Sequence, residues 1–276
     1  MKNHFNLFYF ILFTYYIMRY EIAIPSYKRA IILKTTTLLL LENHNIDKTH
    51  VKIFIRDEVE KASYINVIGD SWDFIITNCC GICDTRNFLR TYYHNHDINF
   101  NFVLFIDDDI KNVCERVDSK NIKPIENLEQ LIFEMYHETA KRNLRLFGLC
   151  GFVNPFFLKN TVTTNLKYII GAFCGIVNSK QSLIQTNIGH AEDYDFTIKH
   201  FLEDGGVVRF NKYCILTKYY NIVGGICEDS GGKDARNKDA KINCTYLAIK
   251  YPKLCKLINK SNGTTDLKLN HFYQKK

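Results

Sequence analysis

Phe102–Ile106 reads FVLFI and runs without a break into Asp107-Asp108-Asp109. Five consecutive apolar residues make a strand covered on both faces, as in a sheet flanked by helices. Three adjacent carboxylates at the end of such a strand repel one another, which is costly unless a cation neutralises them. Mg²⁺ and Mn²⁺ prefer oxygen ligands and are often held by one or two carboxylates plus substrate phosphates. A metal–diphosphate complex is therefore the natural guest. A single Asp there would read as a solvated turn or a helix N-cap; three in a row behind an apolar strand favour the metal.

The chain before the triplet alternates. Arg19–Ile24 reads as a buried strand that stops at Pro25-Ser26, because proline cannot donate to a sheet ladder. Residues 30–44 are apolar enough for a helix, although three threonines weigh against it. Val51–Ile55 and Phe74–Ile76 read as strands, and Glu58–Ile65 and Thr85–Tyr93 as helices. Strand–helix alternation of this kind predicts an α/β fold with a mostly parallel central sheet flanked by helices, in one domain. Pro25-Ser26, Arg56-Asp57 and Asp107–Asp109 all follow strand carboxyl ends, the rim where such sheets bind ligands. The expected organisation is an extension over 1–18, then a domain over 19–276 with a donor half to about 110 and an acceptor half from about 111.

Beyond the triplet, Ile125–Arg142 has helical apolar spacing, and Leu146–Phe152 and Ile169–Val177 read as strands. His190–Glu203 opens with acidic residues and ends at a glycine pair, as a helix does. Val207–Asn211 reads as a short strand, residues 221–238 as a mobile glycine-containing loop, and Cys244–Ile249 as the start of a last helix.

The net charge of +7 suits a polyanionic partner or an anionic substrate, but no Lys/Arg block marks a nucleic-acid arm. The ten cysteines fall largely in apolar runs, and a chain of 276 residues needs no disulfide framework, so the expected setting is a reducing, intracellular one. Cys79-Cys80-x-x-Cys83 has no second pair to complete a four-ligand zinc site. Residues 5–17 are apolar and aromatic but short of the roughly 20 residues that span a bilayer. Met18 as the functional start is the preferred reading there, and a membrane anchor the alternative.

Further residues join the triplet on the expected rim. In Ile24-Pro25-Ser26-Tyr27-Lys28-Arg29, the loop and Ser26 can meet a base or ribose, and Tyr27 can stack on a ring. Arg29 and Arg56 suit phosphate or a pyrimidine edge. Arg86 and Asn87 follow a glycine-containing loop and reach towards sugar or diphosphate. IPSYKR, TRNF, FIDDD and GHAEDYDF, in this order and spacing, resemble the nucleotide loop, Arg-Asn element, Asp-x-Asp motif and catalytic-base element of GT-A fold glycosyltransferases. The resemblance spans about residues 19–230. With GICDTRNF, HAEDYDFTIKHFLEDGGVVRF and TKYYNIVGG, it is nearest to a branch from phages, large DNA viruses and kinetoplastids that includes the base J glucosyltransferase and glycosylates hydroxymethylated pyrimidines in DNA.

That likeness implies a Rossmann-like sheet and a nucleotide-sugar donor, a UDP-sugar first. It implies Mn²⁺ or Mg²⁺ held by Asp107 and Asp109, with Pro25, Ser26, Tyr27, Arg29, Arg56, Arg86, Asn87 and Asp108 at the donor. Asp193, or else Glu192, would be the base of an inverting transfer, His190 a further ligand candidate, and Lys218, Tyr219, Gly224 and Gly225 a lid or acceptor wall. Glu192-Asp193 also suits a helix amino-terminal charge pair. A DNA acceptor would have to be flipped out or single-stranded. The competing readings are a membrane-associated transferase acting on glycan, lipid or protein, a nucleotidyltransferase, and a non-catalytic nucleic-acid-binding relative. PSYKR is not a nucleotidyltransferase phosphate loop, and intact Asp107, Asp109 and Asp193 argue against loss of activity.

Overall fold

The computed structural model describes residues 19–96, 102–177, 181–217, 233–260 and 263–274. The apolar stretch at 5–17 and Lys218, Tyr219, Gly224 and Gly225 lie outside the described residues.

Strands β1 (Tyr20–Pro25), β2 (Val51–Ile55), β3 (Asp73–Ile76) and β4 (Phe102–Ile106) lie in the order β3-β2-β1-β4, all parallel. The crossovers are helical. α1 is a continuous helix of three stretches, Ala30–Leu33, the π-type Lys34–Leu38 and Leu39–Asn43; α2 spans Glu58–Ile68 and α3 Ile82–Asn95. β4 is buried at every residue because apolar clusters cover both faces of the sheet. Side chains alternate along β1, Ile22 and Ile24 joining one cluster and Ala23 the other.

The second half extends the same sheet. β5 (Ile110–Arg116) and β6 (Ile122–Pro124) precede helix α4 (Leu128–Ala140), followed by β7 (Leu146–Cys150), β8 (Val162–Thr163) and β9 (Phe173–Val177). Helix α5 (Glu192–Asp204) and strand β10 (Val208–Thr217) come next, then helix α6 (Lys233–Lys250) and a hairpin of β11 (Cys255–Asn259) and β12 (Thr265–Leu269). From β4 the order continues β9-β7-β10-β5-β6, with β8 beside β10. β9 pairs antiparallel to β4 and β7, while β7 and β10 are parallel, so the sheet is mixed beyond its parallel amino-terminal half. The Rossmann-like sheet with flanking helices is the architecture the sequence implies.

Several expected boundaries move. The strand anticipated at Val207–Asn211 runs to Thr217, because beyond an irregularity after Phe210 its second part pairs with β5 while Cys214 still meets Cys150 of β7. Ile169–Ala172 is not strand; it forms the loop into β9, whose first residue is Phe173. The last helix starts at Lys233, so 233–238 is helical rather than loop. Strands β5, β6, β8, β11 and β12 had no anticipated counterpart.

Candidate active site

The loop after β1 is held from two sides. Ser26 N–H donates to the Phe54 carbonyl at 2.9 Å, tying the loop to β2. Glu60 and Tyr64 stand one turn apart on α2, so both face the loop. Glu60 accepts from Lys28 N–H at 2.6 Å and Arg56 N–H at 2.9 Å, joining the loops after β1 and β2. The Tyr64 hydroxyl accepts from Arg29 N–H at 3.0 Å and bonds Ser26 Oγ at 2.7 Å. Lys28 adopts φ 54°, a left-handed conformation these contacts hold in place. Arg56 lies 3.8 Å from the Tyr27 ring centroid and donates to its hydroxyl at 2.8 Å and to the Cys79 carbonyl at 3.1 Å. Pro25, Ser26, Tyr27, Arg29 and Arg56 thereby line one cleft with Asp107 and Asp108.

The acidic turn sits on α1. Thr36 Oγ1 donates to the Asp108 carbonyl at 2.9 Å, and Thr37 Oγ1 to the Asp107 carbonyl at 2.8 Å. Thr37 Oγ1 also accepts from Ile110 N–H at 2.9 Å. Two of the three threonines that weigh against a helix, Thr36 and Thr37, are therefore the cradle of the turn, within a π-type widening of the kind found at functional sites. Asp108 is buried, accepting from Ser26 Oγ at 2.5 Å and Arg29 Nη1 at 3.3 Å. Arg29 also lies 3.5 Å from Asp109. Burial pushes the Asp108 carboxyl up to about 6, against the pull of Arg29. Burial, with repulsion from Asp107 and Asp108, pushes Asp109 up to about 7. Asp107 faces the cleft; Asp109 is not among the residues lining it.

Arg86 links the turn to α5. It donates to Asp107 Oδ1 at 2.7 Å and, through its other terminal nitrogen, to Glu192. Arg90, one turn on along α3, donates to Glu192 Oε2 at 3.1 Å. Burial raises the Glu192 pKa, but the two guanidinium groups overcome that and hold it below the usual range. Glu192 is thus held as an anion in an ion-pair network, whereas Asp193 has a different environment. Its Oδ2 accepts from the Tyr168 hydroxyl and from Gly171 N–H at 3.3 Å. Burial and the neighbouring Glu192 charge push the Asp193 carboxyl up to about 6, suited to taking a proton near neutrality. Gly171 admits this arrangement, since a Cβ there would lie 2.1 Å from Arg86 Nη1. Asp193, His190, Tyr168 and Asp107 line a second, larger cleft that meets the first at Asp107 and Ile82.

The expected residues therefore divide. Asn87 is engaged with Thr186, donating to its carbonyl at 2.6 Å and accepting from its N–H at 3.0 Å, and lines neither cleft. Cys79 and Cys83 donate to the carbonyls of Thr77 and Thr186. Arg90, Glu60, Tyr64, Thr36, Thr37, Tyr168 and Gly171 were missed. Arg86 and Arg90 are four apart on one helix face, a spacing visible in TRNFLR.

A divalent cation fits the acidic turn. Five carboxylates, Asp107, Asp108, Asp109, Glu192 and Asp193, gather around three guanidinium groups, Arg29, Arg86 and Arg90. Among the described residues no cluster of three or more side chains is placed to ligate a metal alone. Oxygen ligands from a bound diphosphate would complete the set.

The sheet order and the position of the clefts define a GT-A fold, the fold of nucleotide-diphospho-sugar transferases. Glucosyl-3-phosphoglycerate synthase from Mycobacterium tuberculosis, solved with Mn²⁺, UDP and phosphoglyceric acid, superposes with a TM-score of 0.51 at 9% identity, over 91% of this chain and 87% of that one. Its complex with Mn²⁺, UDP and glucosyl-3-phosphoglycerate gives a TM-score of 0.50 at 8% identity, over 92% and 88%. S. aureus TarS 1–349 with UDP gives a TM-score of 0.48 at 16% identity; the match takes in 84% of this chain and 66% of the TarS chain. No protein-family model matches the chain, and no curated protein does.

Proposed function

We propose that this chain is a metal-dependent glycosyltransferase that moves a sugar from a nucleoside-diphosphate donor, UDP-sugar first, to an acceptor hydroxyl with inversion. The observation that carries the proposal is the Arg86 bridge, which sets the acidic turn and the Glu192-Asp193 pair at the junction of two clefts. The M. tuberculosis synthase, with the same fold, holds Mn²⁺ and UDP.

Pro25, Ser26, Tyr27, Arg29 and Arg56 bind the nucleoside, and Asp107 and Asp109 are the residues that would hold a divalent cation. Bound there, a divalent cation would supply charge neutralisation for the leaving diphosphate. Asp193 takes the proton of the acceptor hydroxyl as its oxygen bonds the anomeric carbon. The bond from that carbon to the phosphate oxygen breaks, its electron pair leaving with the nucleoside diphosphate. Tyr168 and Gly171 hold the Asp193 carboxylate, and Glu192 keeps Arg86 between the two halves. The proposed acceptor is a hydroxymethylated pyrimidine in DNA, supported by the motif resemblance and a net charge of +7.

Turnover of UDP- and GDP-sugars with Mn²⁺, measured with and without hydroxymethylated DNA, tests this. Mn²⁺-dependent sugar transfer to the DNA is expected. Donor turnover unaffected by that DNA would remove this acceptor, and no turnover of any donor would remove the enzymatic reading.

A further inference from the structure

Among the described residues, two cations on the acceptor side have no carboxylate partner. Arg209, on β10, and Lys167, just before Tyr168, both line the larger cleft. Arg209 Nε donates to the Asn211 side-chain oxygen at 2.7 Å, and its Nη1 lies 3.4 Å from the Tyr168 carbonyl. Both partners are neutral, and among the described residues neither cation is ion-paired. Arg86, Arg90 and Arg145, by contrast, each meet a carboxylate. Both cations are half-buried. Burial lowers both pKa values, and the Arg209 charge lowers that of Lys167 further. Half-buried like charges lining one cleft are unfavourable unless an anion joins them. Tyr168, which follows Lys167 and whose carbonyl faces Arg209, donates its hydroxyl to Asp193.

We infer that Arg209 and Lys167 form a subsite for a phosphate group carried by the acceptor. The terminal nitrogens of a guanidinium and an ammonium lining the same cleft match the oxygens of a phosphate ester. The subsite deepens the transferase reading and rests on it, fixing the acceptor through an anion while its hydroxyl approaches Asp193. The phosphate could belong to a small phosphorylated metabolite or to a polynucleotide backbone; the chemistry recognised is the same.

The test is calorimetric binding of glycerol 3-phosphate and of a single-stranded oligonucleotide to the full chain, with and without saturating UDP and Mn²⁺. Binding of at least one probe should persist when UDP and Mn²⁺ fill the donor side. It should weaken about ten-fold in Arg209→Gln and in Lys167→Gln, with UDP affinity unchanged. Lys167→Gln guards against a folding defect, since Arg209 also braces Asn211. Preference for the oligonucleotide with steep salt dependence assigns a backbone phosphate, and preference for the small ester a metabolite. Phosphate binding abolished by UDP, or unchanged in both variants, overturns the subsite. A wild-type chain that binds phosphate but not UDP instead overturns the donor reading alone.

Discussion

Arg86 Nη2 donates to Asp107 Oδ1 at 2.7 Å, tying the end of the central strand to helix α3. Through Glu192 the same guanidinium reaches α5, so one buried side chain spans the donor and acceptor sides.

Removing one partner of a buried pair leaves the other uncompensated, at a cost of about 3–5 kcal/mol. Arg86→Ala is expected to lose that much stability in urea denaturation. Arg86→Ala combined with Glu192→Gln should be less destabilised than the two single changes summed, by roughly 1–3 kcal/mol. Additive losses would show that the pair is not coupled.

Asp193 should set the acidic limb of the rate profile. With its carboxyl at about 6, the base is protonated below that pH, so kcat/KM should rise through about pH 6 and level off above it. The Tyr168 hydroxyl bond favours the carboxylate, so Tyr168→Phe should move the limb to higher pH. Asp193→Asn should keep UDP affinity while transfer falls by about 10²–10⁴-fold. A limb unmoved by Tyr168→Phe, or full transfer by Asp193→Asn, would remove this residue as the base.

Thr37 is fully buried and serves two main-chain groups of the acidic turn. Thr37→Val leaves the Ile110 N–H buried without its partner, costing about 1–3 kcal/mol. Thermal unfolding should record that loss, together with weaker Mn²⁺-dependent UDP binding. Unchanged stability and affinity would show that the turn needs no support from α1.

At Gly171 a methyl group would overlap the Arg86 guanidinium. Gly171→Ala should destabilise the chain by about 1–3 kcal/mol through overpacking and lower turnover by displacing Arg86 from Asp107. Wild-type turnover in that variant would show that the bridge is dispensable.

Much of the donor half was legible because its strands are buried on both faces. FVLFI carries no polar interruption and VKIFI only Lys52, and both strands have the anticipated bounds. The β1 loop and the acidic triplet were legible because loops at strand carboxyl ends share a rim. The second half was harder to read. β10 gains β5 as a neighbour partway, and its Asn211-Lys212-Tyr213 segment hides the apolar period. Residues that support the site through main-chain groups left little trace. Thr36 and Thr37 looked like weak helix formers until the turn they hold was visible, and Tyr168 meets Asp193 only through the fold. Asn87 looked like a ligand residue because a side-chain amide bonded to a distant main chain has no local signature.

A calorimetric titration of UDP into the wild-type chain, Asp107→Asn and Asp109→Asn, with and without Mn²⁺, addresses the acidic turn most directly. UDP should bind the wild type far more tightly with Mn²⁺ than without, and each substitution should abolish most of that difference. UDP affinity indifferent to Mn²⁺, or a Mn²⁺ effect that survives both substitutions, would contradict a cation-bridged donor site at Asp107 and Asp109.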